Sequence, residues 1–276
     1  MHTLAACVAG LVVLAFPGSD PTKKPPLRPQ NANAIKLTTA DKVNLKGDFV
    51  LPTNTTKQYP RSAAVILIHG GEGARSELWG LQKKITDWGA ATLTLDLRGH
   101  GESSSNGRAG AQATPAAGNK KDVDEAAVVL SPLQEDIKSA VVYLRKQKNI
   151  DPNRIALLGV DLGAAAAVRY AASDLSVKGV GYISPEAEIP GFNLQDEAKK
   201  LSPRSLFVLA PLSAKERTET LAKNLGGSCK VYSVVANGEA KGCALLDIQK
   251  TTEEKLTTEL GLKLWLRDLG TLTPGP

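Results

Sequence analysis

The amino-acid sequence predicts a three-layer α/β fold, an eight-stranded and mostly parallel sheet with helices on both faces. Three observations predict it. Fully apolar runs of strand length alternate with amphipathic segments of helical period from Ala63 onwards, and two β-like stretches joined by a turn precede them. At 276 residues and 42% hydrophobic content, the chain can bury one substantial core. Apolar strands alternating with helices imply a parallel sheet covered on both sides, because right-handed crossover helices are the usual way to join parallel neighbours.

The first segment, residues 1–19, carries the apolar run Leu4 to Phe16, which Pro17-Gly18-Ser19 breaks at once. It is short for a bilayer span and reads as a secretory leader. Met1-His2-Thr3 holds no Lys or Arg, so an N-terminal tether is the other reading. The mature protein is thus expected to be exported, periplasmic or secreted, and without a membrane span. Residues 20–33, rich in Pro, Lys and Asn, read as a linker with no core-forming power; 34–270 read as one domain and 271–276 as a tail.

Within the domain, Ala34 to Thr39 and Val43 to Leu51 flank the turn-prone Ala40-Asp41-Lys42, which predicts an edge hairpin. Ala63 to Ile68 is the first buried strand, and Leu78, Trp79, Leu81, Ile85 and Trp88 give Ser76 to Trp88 a helical stripe. Ala90 to Leu97 is the next strand, and Gly101 to Gly118, rich in Gly, Ala and Ser, reads as a loop. Ser131-Pro132-Leu133-Gln134 supplies an N-cap, a proline at the first helical position and a capping-box partner, so a helix is expected from there to Lys148. Strands follow at Arg154 to Val160, Val177 to Ile183, Leu206 to Ala210 and Val231 to Ala236, with helices at Leu162 to Ala172, Glu216 to Leu225 and Cys243 to Leu269.

Composition excludes several classes of function. The 34 Lys+Arg against 28 Asp+Glu give a net charge of +6, but the excess is dispersed and Lys23-Lys24 and Lys120-Lys121 are only dyads. With aromatics at 4% and not interleaved with basic residues, no nucleic-acid surface is expected. Cys7 lies in the leader, and the spacing of Cys229 and Cys243 fits no metal pattern, so no metal or cofactor is expected. A strand's length separates those two cysteines, which argues against a disulfide.

Three short segments carry the chemical signal. Gly159-Val160-Asp161-Leu162-Gly163 lies between a strand and a helix, His69-Gly70-Gly71-Glu72-Gly73 follows the first buried strand, and Asp96-Leu97-Arg98-Gly99-His100-Gly101-Glu102-Ser103 follows the next. In these positions they resemble the nucleophile elbow G-x-S-x-G, the oxyanion loop and the D-x-R-G-H-G-x-S segment of the α/β-hydrolase superfamily. The resemblance runs from about Ala34 to Leu269. Lacking a large helical insertion before Ser205, the chain is similar to the small capless serine hydrolases, dienelactone-hydrolase-like or S33-aminopeptidase-like.

That resemblance implies an α/β-hydrolase fold in which the backbone N–H groups of Gly71 and Leu162 form the oxyanion hole. His69, Gly70, Gly159 and Gly163 would then be structural. The side chains depart from the family pattern at all three triad positions. Asp161 occupies the nucleophile slot, Lys241 precedes Gly242 where a His-Gly pair is expected, and Ser213 stands in the acid slot with no carboxylate before Glu216. The family order is nucleophile, acid, histidine, yet His2, His69 and His100 all precede Asp161.

A charged lysine cannot accept a proton as imidazole does. A carboxylate can attack carbon, as in families that resemble epoxide hydrolases, but with ordinary esters it would form a reactive anhydride. The expectation is therefore a degenerate hydrolase whose cleft binds a small ligand or whose surface binds a protein. The alternatives are an active ester or peptide hydrolase, or an epoxide- or haloalkane-type enzyme using Asp161. Asp161 is expected to cap the following helix and to form an ion pair with Lys241, the helix N-terminus favouring the carboxylate. Glu72 would repel an oxyanion unless it points to solvent, and nothing places a base beside Ser103 to Ser105.

Overall fold

A computed structural model describes residues 26–53, 60–71, 73–106, 125–185, 189–236, 242–246 and 252–272. The leader, Lys23-Lys24, Glu72, residues 107–118 of the Gly101 to Gly118 loop, Lys241 and the last four residues lie outside that set, as do the side chains of Ser104, Ser105 and Cys243.

The edge hairpin is β1 (Asn33–Thr38) and β2 (Asn44–Val50), paired antiparallel from Asn33 opposite Phe49 to Thr38 opposite Asn44. The remaining strands are β3 (Ser62–Ile68), β4 (Ala91–Leu95), β5 (Ile150–Val160), β6 (Val177–Ile183), β7 (Ser205–Pro211) and β8 (Val231–Ala236). They form one eight-stranded sheet of order β1-β2-β4-β3-β5-β6-β7-β8. The hairpin joins β4 antiparallel, and every other neighbour pair is parallel. From β3 the chain moves outward to β4, whereas from β5 it moves the other way to β6. The carboxyl ends of β3 and β5 are therefore the switch point where an open α/β sheet leaves a crevice.

Among the described residues, six α-helices cover the sheet: α1 (Trp79–Asp87), α2 (Glu125–Arg145), α3 (Asp161–Ser173), α4 (Leu194–Lys199), α5 (Lys215–Leu225) and α6 (Thr252–Asp268). Alternation along each strand divides the core. Ile66 and Ile68 face α2 and α3 through residues such as Ile137 and Ala165, while Val65 and Leu67 face α1 and α6 through Ile85 and Trp265. Trp265 stacks on Phe207 at 5.5 Å and donates from Nε1 to Ser205 Oγ at 3.0 Å, which meets the polar need of a fully buried indole.

Several boundaries differ from those expected. Ser76 to Trp88 is divided into a 3₁₀ turn, Arg75–Leu78, and α1. The closing segment consists of a 3₁₀ turn at Gly242–Leu246 and a separate α6. The largest correction is at Ser131: α2 starts at Glu125, so Pro132 is interior and not a first-turn proline. Ala126, Leu130, Leu133, Ile137, Ala140, Val141 and Leu144 are all buried, so the apolar stripe continues through the proline and its burial outweighs the lost hydrogen bond. Pro132→Ala is accordingly expected to stabilise the protein by about 1–3 kcal/mol, read as a raised urea midpoint with an unchanged slope.

The end of the segment read as a linker is fastened to the domain. Arg28 donates to Asp48 Oδ1 from Nε at 2.9 Å and from a terminal nitrogen at 2.6 Å, and Asp48 is fully buried. Among the described residues, no helix is long and apolar enough to cross a membrane.

Candidate functional site

The elbow keeps its geometry without its serine. β5 stays extended through Val160, at φ −114° and ψ 131°, and Asp161 makes the turn itself at φ 50°. That left-handed conformation costs an ordinary side chain about 1–2 kcal/mol, and aspartate is among the few that tolerate it. The flanking glycines are required by close approach. A Cβ on Gly159 would overlap the Ala164 backbone, and one on Gly163 would overlap the His69 carbonyl oxygen. The expectation that Asp161 caps the helix is corrected: Val160 occupies the cap position, because the strand passes into α3 through a turn centred on Asp161.

Two neighbours of the elbow carry no motif and escaped sequence reading. Tyr182 on β6 is the register partner of Gly159. Burial, reinforced by the negative charge of Asp161 and opposed by Arg217, pushes its phenol well above the usual tyrosine range. Ser184, just past β6, is buried and left-handed at φ 57°. Strained non-glycine residues thus end two adjacent parallel strands at the crevice, where such strain tends to gather. Only the β5–β6 register reveals this, and a single sequence does not contain it.

The loop after β3 packs against the elbow: a Cβ on Gly70 would lie 3.5 Å from Asp161 Cβ, and one on Gly71 3.2 Å from Leu162 Cδ2. Its shape is set by His69, which is fully buried. The Leu97 N–H donates to His69 Nε2 at 3.0 Å, so the ring proton resides on Nδ1, which donates to the Gly70 carbonyl at 2.6 Å. Gly73 N–H donates to the same carbonyl at 3.1 Å. In a trans peptide this leaves the Gly71 N–H pointing the opposite way. His100 engages two backbone carbonyls, that of Gly71 from Nε2 at 2.6 Å and that of Arg98 from Nδ1 at 2.9 Å.

Burial, only partly offset by the bond to Gly70, lowers the pKa of His69 to about 4. The unfolded chain binds the proton first, near pH 6.5. The native state is therefore at full strength above that value and loses stability as pH falls from about 6.5 towards 4. The total loss from this group is of the order of 3 kcal/mol. Urea unfolding across this range should show that slope in the native protein and not in His69→Gln.

The segment after β4 is held by ion pairs, of which those to Asp48, Asp96 and Asp136 engage buried carboxylates. Asp96 accepts from the backbone N–H groups of Arg75 at 2.8 Å and Glu102 at 2.9 Å. The Arg75 guanidinium binds Asp96, Asp48 at 2.9 Å and Glu102 at 2.7 Å. Arg98 binds Asp136 of α2 at 2.8 Å and Asp41 at 2.7 Å. Ser103 accepts from Lys46 N–H and donates to the Asp96 carbonyl, so its hydroxyl is structural. Arg75 is a further residue that sequence reading passed over; its one signal was an arginine two residues beyond the glycine-rich segment 69–73.

Of the residues expected in the other two triad slots, Ser213 comes just after β7 and Lys241 follows β8 in the sequence. Ser213 is exposed in a 3₁₀ turn, Leu212–Ala214, that follows β7. Lys241, and with it the expected pair with Asp161, is outside the described residues. Its neighbour Gly242 is described: it is left-handed at φ 59°, and a Cβ there would lie 3.8 Å from Val160 Cγ1. Gly242 thus lies beside the residue next to Asp161. Cys229 is a buried free thiol.

This fold and elbow define a class. Residues 65–236, more than half of the chain, match the model of the Alpha/beta hydrolase family, and the chain belongs to that family. Uncharacterized protein YfhR of Salmonella typhimurium is 30% identical over 135 residues, 49% of this chain and 39% of that protein. An uncharacterized 31.7 kDa protein from the traX-finO intergenic region of Escherichia coli is 29% identical over 178 residues, 64% of this chain and 54% of that protein. The chain therefore spans less than two thirds of the length of these curated relatives.

Among solved structures, DcsB in complex with a substrate analogue superposes with a TM-score of 0.62 at 13% identity, covering 86% of this chain and 98% of that one. Esterase 2 of Thermogutta terrifontis gives 0.59 at 17% identity, covering 92% and 100%. Likeness at these identities establishes the shared fold alone.

Proposed function

We propose that the chain is a catalytically degenerate α/β hydrolase, exported, whose crevice keeps the family's architecture and binds a small ligand without turning it over. One observation carries this reading: an aspartate holds the left-handed elbow position while both described imidazoles, His69 and His100, are bonded to backbone groups. Acyl transfer needs a group that takes a proton from the nucleophile and returns it to the leaving group. The return of Gly242 to Val160 supports Lys241 as the neighbour of Asp161, where opposite charges would replace the neutral serine–histidine pair.

The test uses activated aryl esters and fluorophosphonate probes. Turnover at the buffer rate, no labelling, and no change on Asp161→Ala are expected. Ester release removed by Asp161→Ala would reject the reading. Asp161→Ser with Lys241→His and Ser213→Asp asks whether the scaffold still holds usable geometry, and labelling of that variant alone would support degeneracy.

A second reading rests on the strain itself. A mere cap does not need the left-handed turn that Asp161 keeps, whereas a carboxylate nucleophile does. Such an enzyme would form an alkyl ester on Asp161 with an epoxide or haloalkane, visible as a mass increase on the peptide containing it. No adduct across a panel of both substrate classes would exclude it.

A further inference from the structure

We infer a second binding site, at the end of the sheet remote from the elbow, for a small aromatic carboxylate. A cavity of about 550 Å³ lies between the hairpin and the last turn of α2, lined by Asn33, Phe49, Leu51, Tyr143 and the stretch 146–149. It is a depression open to solvent, with Asn33, Lys146, Lys148 and Asn149 exposed around it. It opens at the amino-terminal ends of the parallel strands, since the Asn149 carbonyl accepts from the N–H of Ser62, the first residue of β3. The crevice at Asp161 lies at the opposite ends.

Its chemistry is one-sided. Phe49 is 5% exposed and meets Tyr143 edge to face at 5.8 Å, giving an aromatic wall. Around it stand two exposed cations, Lys146 and Lys148, and the amides Asn33, Gln147 and Asn149, with no carboxylate among the described residues of the lining. The nearby carbonyls of Tyr143, Leu144 and Gln147 already accept backbone N–H groups, so they do not compete for the lysines as bare acceptors. An occupant that satisfies this lining presents a flat apolar body to Tyr143 and Phe49 and an anionic end to the lysines. A purely aliphatic anion or an uncharged aromatic satisfies only one half.

The probe is 4-fluorobenzoate, followed by ¹⁹F line broadening on the full chain, with 4-fluorobenzyl alcohol as the uncharged control. Saturable binding of the carboxylate, at least roughly tenfold tighter than the alcohol, is expected. Lys146→Glu with Lys148→Glu should weaken it at least roughly tenfold, and Tyr143→Ala should weaken both probes. The lysines are exposed, and circular dichroism checks that their variants stay folded. Three results would each overturn the site: no binding at about 10 mM probe, equal binding of acid and alcohol, or binding lost in Asp161→Asn and kept in the lysine variant, which would place the ligand in the crevice.

Discussion

Gly163→Ala is expected to destabilise the protein by about 3 kcal/mol or more, although alanine is the better helix former by about 1 kcal/mol. Gly163 lies in the first turn of α3, and an added methyl would occupy the place of the His69 carbonyl oxygen. Both partners are backbone, so neither can swing aside as a side chain would. Relief requires α3 to move off β3, and Gly159, closed against Ala164, resists that movement. In a domain of this size the loss corresponds to a fall of roughly 6–12 °C in Tm, measured by thermal circular dichroism. Gly227→Ala is the control, because a Cβ there meets nothing within 4 Å. A Gly163 variant that melts within about 2 °C of the native protein would mean that strand and helix are not in close contact at the elbow.

Arg75→Ala should cost about 3–5 kcal/mol at neutral pH, the usual consequence of taking a guanidinium from buried carboxylates, although Asp48 keeps Arg28 and Asp96 keeps its two backbone N–H donors. Arg75 is 8% exposed, Asp48 0% and Asp96 1%, so the carboxylates it pairs have little solvent of their own. The pH dependence identifies the cause. Burial works against the ionised form of Asp48, but Arg28 and Arg75 outweigh it and hold its pKa below the ordinary value. A lowered carboxylate contributes stability above its unfolded pKa of about 3.9, and loses it as pH falls through the native value. In the variant, burial is less opposed, and protonation relieves the uncompensated charge. The gap in urea midpoint between native and variant protein should therefore be widest near pH 7 and narrow towards pH 4. A gap independent of pH would shift the blame from the carboxylates to lost packing.

Both predictions concern parts of the molecule that differ in how well they could be read. The elbow was legible because G-x-x-x-G between an apolar run and a helical stripe reflects a local steric need, two close approaches within five residues. The Arg75 hub was not, since its partners stand 27 and 21 positions away and meet only after β2, β4 and the 3₁₀ turn come together. The start of α2 was misplaced for a related reason. Ser131-Pro132 is a strong local signal, but the buried face from Ala126 to Leu144 is set by the sheet beneath it. Long-range burial overrides a local preference worth only a few kcal/mol.

By itself, the sequence determined the layered α/β architecture, the eight strands, and an aspartate at the centre of the G-x-x-x-G segment, because period, apolar run length and residue identity are local properties. Tertiary structure alone decided that Asp161 bears left-handed strain, that the described imidazoles of His69 and His100 are spent on the backbone, and that Tyr182 and Ser184 border the same crevice. Those facts depend on strand register and on which loops meet at the carboxyl ends of β3 and β5. The physical reason is that a motif records what a segment needs, whereas a site is made by segments far apart in the chain.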